Sequence, residues 1–371
     1  MTGLRALKTL MILGSSVLGL AACGEPEPVR VGFIAGLSGA GADTGFAARN
    51  ALLMAVDDVN ANGGIDGHPV ELVIRDDQKD GDIGRSHVDE FSSLNVAAII
   101  GPIISSVGNA MLPAINEHQI VTISPTVSAF ELSGKDDHLF RINSTTRDNA
   151  QSYALHQSRL GRKTIAIALD QANATFTNSW ADEFTRAFTG YGGVVVGSVP
   201  FNNTAQIGFS LPAEQLLALQ SDAILLVANS FDSAQLALQI RKRGATHPII
   251  AAEWAASEQL IAMGGAAVEG MELLQSYDRN DQSAQFRSFA QAYETRFKAR
   301  PGYTSVATHD AATMLFSGLK QQAQTGMPLR LALLQLRDIQ GLQQPLNFDQ
   351  YGDSQRKTYH VVIRDGQFVA P

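Results

Sequence analysis

Two short turns and one isolated acid hold the residue types in this chain that could do chemistry. The first turn, Gly101-Pro102-Ile103-Ile104-Ser105-Ser106, leaves the apolar run from Val96 to Ile100, and the second, Ser124-Pro125-Thr126-Val127-Ser128, leaves the run from Ile120 to Ile123. Each joins a β-branched run to a helical stretch. Hydroxyls and N–H groups therefore gather at helix N-termini, where the partial positive charge of the helix dipole favours a carboxylate. That chemistry is anion binding, with Ser105, Thr126 and Ser128 as candidate donors. The same residues also suit ordinary capping: Ser105 or Ser106 as an N-cap, and Ser128 with Glu131 as a capping box. The acid is Glu253, directly after the apolar run from Ile249 to Ala251. A carboxylate there faces a cleft rather than bulk water and needs a compensating charge or donors. A ligand ammonium would supply one, and so would a nearby arginine.

Other chemistries lack their residues. The run Gly39-Ala40-Gly41-Ala42-Asp43-Thr44-Gly45 follows a strand and precedes a helix, as a dinucleotide loop does, but it has one residue too many before its third glycine. No acid stands about 20 residues further on, because Asp76 and Asp77 come about 30 residues later. Phosphate-loop, Gly-x-Ser-x-Gly and His-Glu-x-x-His patterns are absent, and the 8 histidines are scattered singly. No catalytic residue, metal site or cofactor is expected, and the chain is not expected to be an enzyme. The single cysteine excludes an intramolecular disulfide framework and a multi-thiolate metal site. The 28 Lys and Arg against 36 Asp and Glu give a formal charge of −8. That argues against nucleic acid, whose partners concentrate positive charge.

The elements that must position the two turns and the acid are read from periodicity. β-Branched runs alternate with helical stretches, the pattern of βαβ units around a parallel sheet. With 371 residues, 45% of them apolar, the chain is long enough for two lobes, each with its own core. The spacing predicts strands over 29–37, 69–75, 96–100 and 120–123, with helices over 45–60, 84–94 and 105–117 between them. After Leu139-Phe140-Arg141 the rhythm restarts with helix 149–160, strand 164–169, helix 178–188 and strand 194–199. A third pass gives strands 222–228, 248–251 and 270–274, helix 232–243, and the long helices 283–298 and 305–324.

The N-terminus carries its own signal. Residues 1–22 hold Arg5 and Lys8, no acid, and an apolar stretch from Leu10 to Leu20. That stretch is about half of the roughly 20 residues a spanning helix needs, so it reads as a secretory signal peptide. Leu20-Ala21-Ala22-Cys23 resembles the bacterial lipoprotein cleavage box, which makes Cys23 the lipidated N-terminus of an exported protein and residues 23–28 a proline-bearing tether. The expected location is the periplasmic side of a bacterial membrane.

From Val29 onward the chain resembles the type I periplasmic binding proteins, specifically the leucine/isoleucine/valine-binding branch of ABC-importer receptors. The residues that carry the resemblance are Leu37-Ser38-Gly39 with Gly45; Ala55 through Asp58, Asn60, Gly63, Gly64, Ile65 and Gly67; Asp76-Asp77-Gln78 with Asp80; Ile100-Gly101-Pro102; Ile123-Ser124-Pro125; and Phe140-Arg141. The resemblance implies an α/β fold of two doubly wound parallel-sheet lobes joined by three hinge crossings, near Asn143 to Thr146, Gln275 to Tyr277 and Leu346 to Phe348. The first lobe would comprise 29–144 and 276–347, the second 145–275 and 348–371. It further implies that Ser105, Thr126 and Ser128 meet a ligand α-carboxylate and that Glu253 holds its ammonium.

Two departures bear on the ligand. The family often has an aromatic residue where this chain has Thr44, and a tyrosine after the first strand of the second lobe, for which Phe176 is the best equivalent. Another cleft tyrosine is replaced by Asn229 or Ser230, in a loop that could equally point away. Strict branched-chain specificity is therefore not implied. The expected function is capture of an amino acid or related small carboxylate-bearing solute by cleft closure, followed by delivery to an ABC permease. The alternative is a sensory or envelope receptor lipoprotein that reports the same ligand to a signalling partner. The chain is expected to be monomeric.

Overall fold

The apolar run that opens the folded chain becomes β1 (Val29–Ala35), whose last five residues are all buried. The computed structural model describes residues 26–39, 41–202 and 208–371; Cys23 and the signal-peptide segment lie outside the described residues. After β1 come α1 (Asp43–Ala61), β2 (Val70–Asp76), α2 (Gly81–Ser93), β3 (Ala98–Ile100), α3 (Ser105–Glu117), β4 (Thr122–Ser124) and β5 (Leu139–Arg141). Their strands form one parallel sheet in the order β2-β1-β3-β4-β5. Helices cover both faces, which is why β3, β4 and β5 are buried throughout rather than alternating. The strand order reverses between β1 and β3, and the crevice at the carboxyl ends of the strands beside such a switch point is where doubly wound folds bind ligands.

The second lobe repeats the winding. It runs α4 (Thr146–Arg159), β6 (Thr164–Asp170), α5 (Ala174–Gly190), β7 (Val194–Phe201), α6 (Ser210–Ala218), β8 (Ala223–Val227), α7 (Ser230–Lys242), β9 (Ile249–Ala251), α8 (Glu258–Gly264) and β10 (Glu272–Gln275). Its parallel strands lie in the order β7-β6-β8-β9-β10, again with a reversal after the first pair. Trp180, Phe184 and Phe188 stack along α5 and are fully buried against β6 and β8. Each such side chain contributes about 1.5–3 kcal/mol by leaving water.

The chain then returns to the first lobe. Helices α9 (Ala284–Phe297), α10 (Tyr303–Thr325) and α11 (Leu329–Gln335) follow, and α10 and α11 close one face of the first sheet, with Met314, Leu315 and Leu333 in its core. A small hairpin of β11 (Ile339–Gln340) and β12 (Pro345–Leu346) leads to β13 (Tyr359–Arg364) and β14 (Gln367–Val369), an antiparallel ribbon on the edge of the second sheet. No helix among the described residues is long and apolar enough to cross a membrane.

Several details differ from the sequence reading. Helix α4 starts at Thr146 rather than Asn149, because Thr145 and Asp148 form a reciprocal capping box just before it. Helix α5 starts at Ala174 rather than Asn178, and α6, α8, α11, β13 and β14 were not expected. The third crossing comes later than Leu346 to Phe348: both of those residues sit in the first lobe's core, and Arg141 still pairs with Asp353. The passage is pinned by Ser144, whose Oγ accepts the Arg356 N–H at 2.7 Å, and by the buried pair of Arg356 with Asp310 at 2.6 Å. The chain reaches the second sheet only at Tyr359.

Candidate functional site

Five of the six predicted ligand residues, Ser105, Thr126, Ser128, Phe176 and Glu253, line one chamber between the lobes. Its free volume is about 20 Å³, room for a single water. The lobes are closed on each other. Asn173 Oδ1 of the second lobe accepts the Ser106 N–H at 3.0 Å, Ser106 Oγ accepts the Thr175 N–H at 3.1 Å, and Ser179 Oγ accepts the Phe130 N–H at 3.1 Å. Nearer the rim, Asp43 of the first lobe accepts the Ser257 hydroxyl at 2.8 Å and the Ser230 hydroxyl at 3.3 Å.

The hydroxyl side of the chamber is built by the two turns. Gly101 passes so close to β1 that a Cβ would lie 2.1 Å from the Ile34 carbonyl oxygen, at a φ of +118°, which admits glycine alone. Ser124 then staples the turns together, donating to the Pro102 carbonyl at 2.7 Å and accepting the Val127 N–H at 2.9 Å. Neither capping alternative is realised. The residue before α3 is Ile104, without a side-chain cap, and Ser105 is the first helical residue. Its Oγ accepts the N–H groups of Ser128 and Ala129, both at 3.3 Å. Two accepted bonds leave the Ser105 O–H to donate into the chamber. The helical turn Phe130–Leu132 begins after Ala129 and also lacks a side-chain cap. Thr126 differs: its hydroxyl donates to the Ile103 carbonyl at 2.6 Å, so as placed it orients the turn instead of offering a proton.

Glu253 faces this side from the other lobe. It is 6% exposed and begins the helical turn Glu253–Ala255 that follows β9. Asn149 Nδ2 donates to one carboxylate oxygen at 2.7 Å and Trp180 Nε1 to the other at 2.9 Å. Both donors are neutral, and no arginine among the described residues pairs with it. Burial pushes the carboxyl above its ordinary value against those two hydrogen bonds. The chamber thus holds a desolvated acid with donors but no counter-charge, and its lining contains no lysine or arginine.

Asn229 does not join the other five. Its side chain caps α7 by accepting the Asp232 N–H at 2.9 Å and donates to the carboxylates of Asp170 and Asp232. It borders a separate chamber of about 320 Å³. The sequence reading missed Ile103, Asn143, Asn173, Trp254 and Tyr303, which complete the inner lining. Asn143 Oδ1 is buried there without a hydrogen-bond partner. Trp254 adjoins Glu253 in sequence, the one signal that could have flagged it. A larger cavity, about 650 Å³, is a groove on the flank where Asp43 and Tyr303 approach Arg279 and Phe368. It contains neither hydroxyl turn nor Glu253. No group of three His, Cys, Asp or Glu among the described residues is placed to hold a metal ion.

Two lobes wound alike and a polar chamber at facing strand ends define a clamshell receptor, and comparison agrees. A family model described as periplasmic binding protein matches residues 28–367, and the chain belongs to that family, one of solute-binding proteins rather than enzymes. The Leu/Ile/Val-binding protein BraC3 of Rhizobium johnstonii is 24% identical over 275 residues, 71% of each chain. Among solved structures, the branched-chain amino acid transporter substrate-binding protein LivJ of Streptococcus pneumoniae, in complex with isoleucine, aligns with a TM-score of 0.84 at 21% identity, covering 93% of this chain and 98% of that one. The ABC-transporter solute-binding protein of R. palustris in complex with benzoate aligns with a TM-score of 0.83 at 18% identity, covering 92% and 95%.

Proposed function

We propose that this protein captures an amino acid or a closely related carboxylate-bearing zwitterion between its lobes and delivers it to an ABC permease from a lipid anchor at Cys23. The observation that carries the reading is Glu253, a buried acid held by two neutral donors and facing the Ser105 and Ser128 turns of the opposite lobe. The ligand carboxylate meets Ser105 and Ser128, and its ammonium meets Glu253, with Thr126 and Phe176 shaping the walls. Each pole belongs to a different lobe, so both charges are satisfied only when the cleft closes, and recognition and closure become one event. Micromolar affinity corresponds to about 8 kcal/mol, within reach of a few charge-assisted hydrogen bonds in a desolvated site.

In this reading the first lobe comprises 29–144 and 276–353, and the second comprises 145–275 and the remainder to 371. The relatives that bind leucine, isoleucine and valine support an amino-acid ligand. The replacement of cleft tyrosines leaves the side chain it carries to be read from the pocket. A thermal-shift screen of the mature chain against the amino acids and simple carboxylates tests the proposal. A ligand at 100 times its Kd stabilises the native state by about 2.7 kcal/mol, visible as a raised melting temperature. If no amino acid or carboxylate raises it, the reading fails.

A further inference from the structure

Two of the chambers between the lobes adjoin each other and share a wall. The inner chamber holds Glu253 and the hydroxyl turns; the outer one, about 320 Å³, is bordered by Gly36, Ile104 and Lys79 of the first lobe and Ala172 and Asn229 of the second. Trp254 and Ile103 line both. Trp254 belongs to the second lobe and packs against that lobe's core group containing Tyr153 and Ile250. It also packs against the first lobe's group containing Ile34, Ile104 and Val107. The Phe176 ring meets the indole edge-on with centroids 5.7 Å apart. Tyr303 of the first lobe donates its hydroxyl to the Trp254 carbonyl at 3.5 Å.

A half-buried side chain of one lobe that packs against the apolar core of the other does what the side chain of a captured solute would do. It fills the apolar space beside the charged seat and ties the lobes together. It also leaves about 20 Å³ beside Glu253, enough for one water and for no amino acid. We propose that Trp254 is a resident occupant of the ligand's side-chain compartment, and that the ligand displaces the indole toward the outer chamber. The space it vacates, walled by Ile103, Ile104 and the ring of Phe176, fits a planar aromatic or comparably large apolar group. Trp254 is then the residue that sets ligand size. This rests on the reading of Glu253 and the two turns as the seat for the ligand's charged ends.

The test uses the two tryptophans of the chain, Trp180 and Trp254. The intact mature protein, Trp254→Ala and Trp254→Phe are titrated with L-phenylalanine, L-leucine and L-alanine by calorimetry, with tryptophan emission followed in parallel. Removing an occupant that must be displaced raises apparent affinity by the inverse of the vacant fraction. Trp254→Ala is expected to bind L-phenylalanine about ten-fold more tightly than the unmodified protein, with a smaller gain for L-alanine, whose methyl asks for less of the vacated space. Trp254→Phe, a smaller ring that preserves packing, moves in the same direction by less, so a poorly folding alanine variant still leaves a readout. L-phenylalanine shifts the emission of the unmodified protein, and Trp254→Phe, which keeps Trp180 on the Glu253 carboxylate, shows a smaller shift. Equal affinities across the three proteins for every probe, or an emission shift undiminished in Trp254→Phe, overturns the inference and leaves the seat intact. Absence of binding of all three probes to all three proteins overturns the reading of the seat, and the inference with it.

Discussion

Replacing Glu253 by glutamine separates a charge that serves the ligand from one that serves the fold. The two carboxylate oxygens accept from Asn149 Nδ2 at 2.7 Å and Trp180 Nε1 at 2.9 Å. A glutamine amide has one acceptor oxygen, so one of those donors loses its partner, at about 1–3 kcal/mol. Against this, the substitution removes a fully desolvated negative charge, whose burial already pushes the carboxyl upward. The two terms oppose each other, and the denaturation midpoint of the free protein should move little. Binding has no such offset. A ligand ammonium brought against a neutral amide loses its only counter-charge, and truncating one partner of a buried charged pair costs about 2–5 kcal/mol, roughly 30-fold to a few thousand-fold in Kd. Calorimetric titration with a zwitterionic amino acid should show that loss, whereas a ligand with a carboxylate and no ammonium, such as benzoate, should bind no worse. Zwitterion affinity also falls as pH drops through the raised Glu253 pKa, because the protonated acid no longer attracts the ammonium. Glu253→Gln with zwitterion affinity within about three-fold of the parent would refute the reasoning and leave Glu253 a structural acid.

Three further outcomes follow from other sites. Asp77 is buried and burial pushes its carboxyl up to about 6 from 3.8, so the native chain binds this proton more tightly than the unfolded chain. Its contribution is present at acid pH and lost as pH rises through that interval, up to ~3 kcal/mol; urea titrations should show Asp77→Asn more stable than the parent at pH 8 and level with it at pH 3, and an equal gap at both would refute the linkage. Asp310→Ala leaves the Arg356 guanidinium, whose side chain is 2% exposed, without its carboxylate, and should cost about 3–5 kcal/mol in guanidinium unfolding; a loss below about 1 kcal/mol would show that water reaches the arginine. Cys23→Ser should abolish metabolic labelling of the protein by fatty acid and release it from the membrane fraction, and persistent labelling would place the lipid elsewhere.

The sequence by itself determined what acts over a few residues. Alternating β-branched runs and helical periods specified the parallel sheets, and Gly101-Pro102 and Ser124-Pro125 marked the two turns. From the resemblance came the strand ends that must face a cleft. Those constraints brought Ser105, Thr126, Ser128, Phe176 and Glu253 to one chamber. Only the tertiary structure decided what each side chain does there. Ser105 suits a helix cap by its position, yet it bridges to the backbone of Ser128 and Ala129, 23 and 24 residues away. Glu253 found Asn149, 104 residues away, and Trp180, 73 away, rather than an arginine. Asn229 stands outside the chamber because its side chain is taken up by Asp232 and Asp170, and Trp254 was found because two cores converge on it. Capping and periodicity are decided by neighbours along the chain. The partner of a buried charge and the occupant of a cleft are decided by what the folded lobes press together, and that depends on packing between segments whose separation no local pattern encodes.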